Sequence, residues 1–386
     1  YAAGFRFVKD VKVIDAYTIE VDYKKPYFKA LETWMMGILP EHILKDEKNL
    51  MQSSFNTHPI GTGPYRLTQL EFSKNIELSA FDGYFEGRPK IDKIAFHVIP
   101  DPMTRLLMLK NAQLDLGSIE PLVMERQLGA DFFKKFDIYE KISLSYTYLG
   151  FNLRKKKFTD PRVREALSLA IDREELVDIL FFKHAKICTG PFLPGSAAFN
   201  PDVKAPKQNI ARARELLREA GYDEQHPFVF EIATSNASSI RPYAAEILQY
   251  QLKKAGVIVK LRIMEWQAFL NMVVFPHKFD AVLLGWGLSP TPDPYLFWHS
   301  ASDKPGGFNL VGYHNAKVDK LIEESQSIID KERLASMWRE MFALIVDDNP
   351  YLFLYIPNSI TAVNKEIHPI EPALGGIWHN YIQWEK

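Results

Sequence analysis

Glu265, in IMEWQAFL, and Asp293, in SPTPDPYLFW, are two carboxylates set among aromatic residues. Two acids roughly 5 to 10 Å apart across a cleft would suit glycoside hydrolysis. Nothing in the spacing of these two pairs them, and Asp293, directly before Pro294, reads more naturally as a helix cap. No two of the 10 histidines follow an HExxH pattern, and no acid–histidine spacing builds a metal cage. His299, His314 and His379 lie near aromatic segments, and His299 is kept as an alternative metal ligand. Cys188, in AKICTGPF, is the 1 cysteine, which excludes an intramolecular disulfide and any multi-cysteine metal site. No GxSxG elbow occurs. GTGPYRL is a tight turn and not a phosphate loop, because Pro64 breaks the pattern and a strand follows. No catalytic residue and no cofactor is assigned.

The aromatic residues are more informative, at 26 Phe, 17 Tyr and 7 Trp. Many must be core, yet Trp34, Trp266, Trp286 and Trp298 fall at strand ends or in loops, where a side chain can line a cleft. In AVLLGWGLSPTPDPYLFWHS, Gly285 permits close approach of backbone to a ligand and Trp286 offers a flat, rigid wall. The loop after them is uncharged until Asp293, so a site here does not rest on an ion pair with an ammonium group.

The elements that must position these residues follow from periodicity. VKVIDAYTIEVDYKKP alternates around Asp15-Ala16 and predicts a hairpin; YRLTQLEFSKNIELSAF and PKIDKIAFHVIP predict further strands. Met103, Leu106, Leu107 and Leu114 keep helical spacing in DPMTRLLMLKNAQLDLG. SYTYLGFNL predicts a strand. TDPRVREALSLAIDREELVDILFF predicts one helix, capped by Asp160, opened by Pro161 and buried through Val163, Ala166, Leu167, Ala170 and Ile171. Helices stopping at Gly221 and Gly256 alternate with the strands FVFEIAT, VIVKLRIM and FDAVLLGW; two further helices precede YLFLYIP. This alternation from Pro206 to Pro357 argues for an α/β lobe with a largely parallel sheet, distinct from the strand-rich part before it.

Composition sets the outer bounds. The 386 residues are 47% hydrophobic and 25% charged, ordinary for a globular chain, and suggest two or three domains at roughly 100 to 200 residues each. The net charge of −1 argues against nucleic acid as a partner. No apolar run reaches the ~18 residues of a membrane span. YAAGFRFVKDVKVID lacks an initiator Met and a signal-peptide pattern, and reads as a start in mid-domain.

GFNLRKKKFTDPRVREALSLAIDREELVD resembles the signature of the dipeptide, oligopeptide and nickel class of extracytoplasmic solute-binding proteins of ABC transporters. HPIGTGPYRL, FDGYFEGRPKIDKIAFHVIPDPMTRLLMLKNAQLDL and FDAVLLGWGLSPTPDPYLFW are similar to its other landmarks, in the same order. The resemblance implies a two-lobed α/β receptor of the class II, oligopeptide-binding-like type, with a cleft between lobes. It implies residues 51–150 and 357–386 as the first lobe, 151–356 as the second, and 1–50 as the remnant of an N-terminal small domain. Asn152 and Pro357 would mark hinge crossings. It further implies a non-enzymatic protein made as a signal-peptide-bearing or lipoprotein precursor, exported to the periplasm or anchored outside the membrane. That protein would close on a solute and deliver it to an inner-membrane permease.

Two departures from the family stand out. The N-terminal stretch that family members carry ahead of the VKVIDAYTIEVDY match is missing, so the chain reads as incomplete, with a separate chain carrying that stretch as one alternative. Peptide binders place an acid for the peptide's ammonium four residues after the glycine of the Gly-Trp pair, where this chain has Ser289. The dipeptide binders' arginine falls near Thr234 or Ser235 and not at Arg241, and the nickel branch's arginine falls near Met36. Trp286, Gly285, Ser289, Trp266, Tyr148 and Met36 are therefore the expected ligand-binding positions, for a peptide or peptide-like solute with relaxed end recognition. The rivals are a nickel or metallophore receptor using His299, an aromatic-cleft enzyme, and a surface adhesin or chaperone.

Overall fold

The computed structural model describes residues 4–373 and 376–386. The chain divides into two units, one formed by residues 1–34 and 142–357 and the other by 35–141 and 358–386. The division differs from the expected boundaries at 50, 150 and 356. Residues up to Trp34 join the 142–357 unit because their aromatic side chains pack there: Phe28 meets Trp338 edge-on at 5.2 Å, and Lys29 donates to the Thr291 carbonyl at 2.8 Å. The predicted hairpin is present in this segment as Val8–Asp15 paired with Thr18–Tyr23.

The 142–357 unit is built on a sheet whose strands run in the order Ile258–Met264, Val229–Ser235, Ala281–Gly287, Ser145–Phe151 and the first half of Tyr351–Asn364. Val229–Ser235 is parallel to both of its neighbours, as helical crossovers require. Ser145–Phe151 runs against both of its own neighbours, so the sheet is mixed and not largely parallel. Alternate side chains of Ala281–Leu284 enter two different cores: Ala281 and Leu283 pack with Phe230, Leu248 and Leu252, while Val282 and Leu284 pack with Tyr148, Trp298 and Phe342. With both faces covered, the strand is an unbroken apolar run in the sequence.

The single helix predicted after Asp160 is two. Asp160 accepts from the Arg162 amide at 2.9 Å and Pro161 opens Pro161–Leu169, as expected, with all five predicted stripe residues 1% exposed or less. Asp172 then breaks the run: its carboxylate accepts from the Glu175 amide at 2.9 Å and starts Arg173–Phe181, while its own amide donates to Gln251. Ile210–Glu219 and Ile240–Lys254 end before Gly221 and Gly256, whose φ angles of +89° and +85° suit glycine.

The 35–141 and 358–386 unit holds an antiparallel sheet of Tyr65–Glu71, Asn75–Ala80 and Lys93–His97. Beside it a small core gathers Leu106, Leu109, Val123, Phe132, Phe136 and Ile360. In the helix Pro102–Lys110 it is Leu106 and Leu109 that are buried, whereas Met103 and Leu107 are exposed, so the predicted stripe is offset.

Candidate functional site

In an α/β sheet, loops at the carboxyl ends of parallel strands leave a crevice where backbone amides and side chains converge. Here Val229–Ser235 and Ala281–Gly287 run parallel, the second reaching further at its carboxyl end, and a cavity of about 230 Å³ opens between Gly285, Trp286, the first turn of Ile240–Lys254 and the neighbouring strands. Its wall includes Thr147, Arg241, Tyr355 and Pro357, all within the 142–357 unit.

Gly285 lacks a side chain for a packing reason. A Cβ there would lie 2.9 Å from the Tyr146 carbonyl, on the strand that pairs with it, and 3.7 Å from Arg241 Nη2. The same absence leaves the guanidinium facing open space. Trp286 is half-buried and fixed by its neighbours: its ring lies 4.7 Å from Phe297, 5.9 Å from Phe308 and 6.2 Å from Tyr148, and Nε1 donates to the Tyr351 hydroxyl at 3.4 Å.

Arg241 is half-buried, yet makes neither an ion pair nor a hydrogen bond among the described residues. Burial pulls its guanidinium below the ordinary value, opposed by the Tyr355 and Tyr148 hydroxyls. Its nearest flat neighbour is Trp266, whose ring centre is 5.8 Å from Cζ. Tyr355 is buried, and burial pushes its hydroxyl up to about 12 against a hydrogen bond with Thr147 and the Arg241 charge.

Of the expected positions, Gly285 and Trp286 line this cavity and Trp266 flanks Arg241. Tyr148 does not reach it: the residue is fully buried behind Trp286, and its strand neighbour Thr147 lines the wall instead. Ser289 is exposed and spends its hydroxyl accepting from the Thr291 amide at 3.3 Å, in a turn away from the wall. Met36 belongs to the other unit, half-buried in an irregular segment. Asn152 is a buried staple, donating to the carbonyls of His277 and Phe279 at 3.1 and 3.0 Å at the far end of its strand from the Lys141–Ile142 crossing. Pro357 does stand at a crossing, where its carbonyl accepts from the Ser143 amide at 3.0 Å, and it also lines the cavity.

His299 is buried with both ring nitrogens engaged: Nδ1 accepts from the Ala301 amide at 3.0 Å and Nε2 lies 3.2 Å from Glu323. Among the described residues no cluster of three or more His, Cys, Asp or Glu side chains is arranged for a metal. Glu265 accepts from the Ala268 amide, and the amides of Gln267 and Ala268 hold its carboxyl below the usual range. Asp293 accepts from the Tyr295 amide at 3.0 Å and from Tyr27, close to Arg6. Glu265 caps Trp266–Phe269, whereas Asp293 stands one residue before Pro294, the cap of Tyr295–Trp298, and is not itself the helix cap.

Arg241, Thr147 and Tyr355 were not expected. The one signal for Arg241 is its place, in the first turn of an apolar helix directly after the strand FVFEIAT, where the fold type puts ligand contacts.

Residues 1–308 match the family described as bacterial extracellular solute-binding proteins, family 5 Middle. The chain is 33% identical over 357 residues to the oligopeptide-binding protein AppA of Bacillus subtilis, spanning 88% of this chain and 65% of that protein. It is 27% identical over 328 residues to the nickel-binding protein NikA of Staphylococcus aureus, spanning 85% and 65%. It thus spans about two thirds of the length of these curated relatives. The structure of AppA from Bacillus subtilis in complex with a nonapeptide superposes with a TM-score of 0.85 at 30% identity, covering 99% of this chain and 79% of that one.

Proposed function

This chain belongs to the bacterial extracellular solute-binding proteins of family 5, and on that premise we propose that it captures peptides or peptide-like solutes for an ABC importer. In this reading it works outside the inner membrane, in the periplasm or anchored at the outer face, and hands its solute to a membrane permease. The observation that carries the reading is the cavity at the strand ends, where a fixed indole, a bare backbone at Gly285 and a charged side chain meet. Such a wall offers stacking and hydrogen bonds to an amide chain of varied sequence. The match to a family of solute-binding proteins supports reading the protein as a binder. The peptide-binding name of AppA, at 33% identity, supports the same choice of solute. Native mass spectrometry of the purified chain, followed by denaturation, tests it. A released ladder of short peptides is expected; a single metal-containing adduct overturns the reading in favour of a metallophore receptor.

A further inference from the structure

We propose that Arg6 is a positioning residue for the solute wall: paired with Asp293, it fixes the loop that sets the orientation of Trp286. The inference rests on the peptide reading only where retention of peptide is the readout. Residues 288–294 join the Gly-Trp pair to Tyr295–Trp298 and carry prolines at 290, 292 and 294. A proline has no amide hydrogen, so at these alternate positions the loop has no backbone donor with which to hold its own shape. Its own ties are the Leu288 amide on the Leu144 carbonyl at 2.7 Å and the Thr291 amide on the Ser289 hydroxyl at 3.3 Å. Three further ties come from the first residues of the chain. Lys29 donates to the Thr291 carbonyl at 2.8 Å, the Tyr27 hydroxyl donates to Asp293 Oδ2 at 3.4 Å, and Arg6 Nη2 lies 3.6 Å from the same oxygen.

Asp293 passes this hold toward the site. Its Oδ1 accepts from the Tyr295 amide at 3.0 Å, and Phe297, two residues on, packs 4.7 Å from Trp286. Tyr148 and Tyr351 hold the indole from the sheet, while Phe297 holds it from the short helix, and this second hold is the one Arg6 governs. Arg6 is a costly way to anchor a loop for stability alone. Its side chain is 22% exposed, and Nε and Nη2 are buried without a hydrogen bond, the Asp293 oxygen lying just beyond reach. Ring centres of Tyr295, Phe7 and Tyr27 surround the guanidinium at 4.4, 4.9 and 5.9 Å. A buried ion pair of this kind adds little net stability once desolvation is counted, but charge and cation–π contact together select one arrangement of loop and rings.

The test uses the purified full chain labelled with fluorotryptophan, with the Trp286 and Trp384 resonances assigned by their loss in W286A and W384F. Fluorine NMR is then compared for the unaltered chain, R6Q, R6K and D293N. Asp293→Asn keeps the oxygen that accepts from Tyr295 and removes only the charge. The Trp286 resonance is expected to move or broaden in R6Q and D293N and to return toward its original place in R6K, while that of Trp384, in the other unit, stays put. Retention of a pool of random tripeptides, read by native mass spectrometry, should fall roughly threefold to tenfold in R6Q, with no further loss when R6Q is added to W286A. An unmoved Trp286 resonance in folded R6Q and D293N overturns the inference, as does an equal fall in retention in the two backgrounds. Where R6Q fails to fold, D293N carries the same readouts. Retention of no peptide at all sinks the peptide reading itself, and the resonance comparison, which needs no ligand, still decides the role of Arg6.

Discussion

The ring of Tyr148 lies flat on that of Tyr351, centroids 3.8 Å apart and planes 11° apart, and both are buried. Trp286 continues the stack at 6.2 Å and 17°, so the indole at the cavity wall is held by two rings that never reach it. This relationship separates support from contact. Tyr148→Ala should leave a cavity beneath Trp286 and lower unfolding free energy by about 3–5 kcal/mol, read from denaturant titration. Trp286→Ala, at a half-buried site, should cost less stability while weakening peptide retention. The opposite ranking would mean that Tyr148 contacts the solute directly.

Gly285 and Gly287 flank Trp286 but differ in what a methyl group would meet. At Gly285 it would press on the Tyr146 carbonyl at 2.9 Å, whereas at Gly287 nothing lies within 4 Å. Gly285→Ala is expected to destabilise by about 1–3 kcal/mol, through forced separation of paired strands. Gly287→Ala should stay within about 0.5 kcal/mol of the unaltered protein. Thermal unfolding of the two variants side by side checks the contrast.

Much of the local structure was legible because its causes are local. Asp160-Pro161 announces a helix start, Gly221 and Gly256 announce stops, and the unbroken FDAVLLGW run announces a strand covered on both faces. The break at Asp172 was hidden because the flanking residues keep one apolar stripe; only the second cap, and the bond that the Asp172 amide donates to Gln251, interrupt it. The site was half legible. Gly285 and Trp286 are marked by their place at a strand end, but Thr147 and Tyr355 reach the wall through pairing of distant strands, Gly285 with Thr147 and Thr147 with Tyr355. Spacing along the chain carries no trace of that register. Arg241 is marked in the sequence only by its place at the start of a helix, and that no acid meets it among the described residues emerges only from the fold.

Asp172 gives that break a measurable size. Asp172→Ala removes the carboxylate that accepts from the Glu175 amide at 2.9 Å, leaving the start of Arg173–Phe181 uncapped. A loss of about 1 kcal/mol is expected from thermal unfolding. Asp172→Asn, which keeps an acceptor in place, should restore most of it.

Cys188 should report on the integrity of the same unit. It is 1% exposed, its thiol donates to the Gly190 carbonyl at 3.3 Å, and burial pushes it up to about 12. A disulfide reagent needs the thiolate and access to it. The native protein is therefore expected to show no reaction at neutral pH over hours, with one equivalent released in denaturant. Prompt reaction of the native protein would contradict the burial.

Alkaline pH should unfold the 142–357 unit through its buried phenols. Burial pushes Tyr351 and Tyr355 up to about 12, from an ordinary value of 10.0, because the lost hydration of a phenolate outweighs the hydrogen bonds from Trp286 and Tyr148 to Tyr351, and from Thr147 together with the Arg241 charge to Tyr355. The folded state thus holds these protons where the unfolded chain releases them. By linkage, stability is complete below about pH 10 and falls as pH rises toward about 12, since there the native state binds more protons than the unfolded one. Tyrosinate absorbance should accordingly show these phenols titrating together with the loss of ellipticity and not before it. Tyr355→Phe removes one of the two groups and should flatten that decline, while gradual ionisation of both phenols in a still-folded protein would mean that water already reaches them.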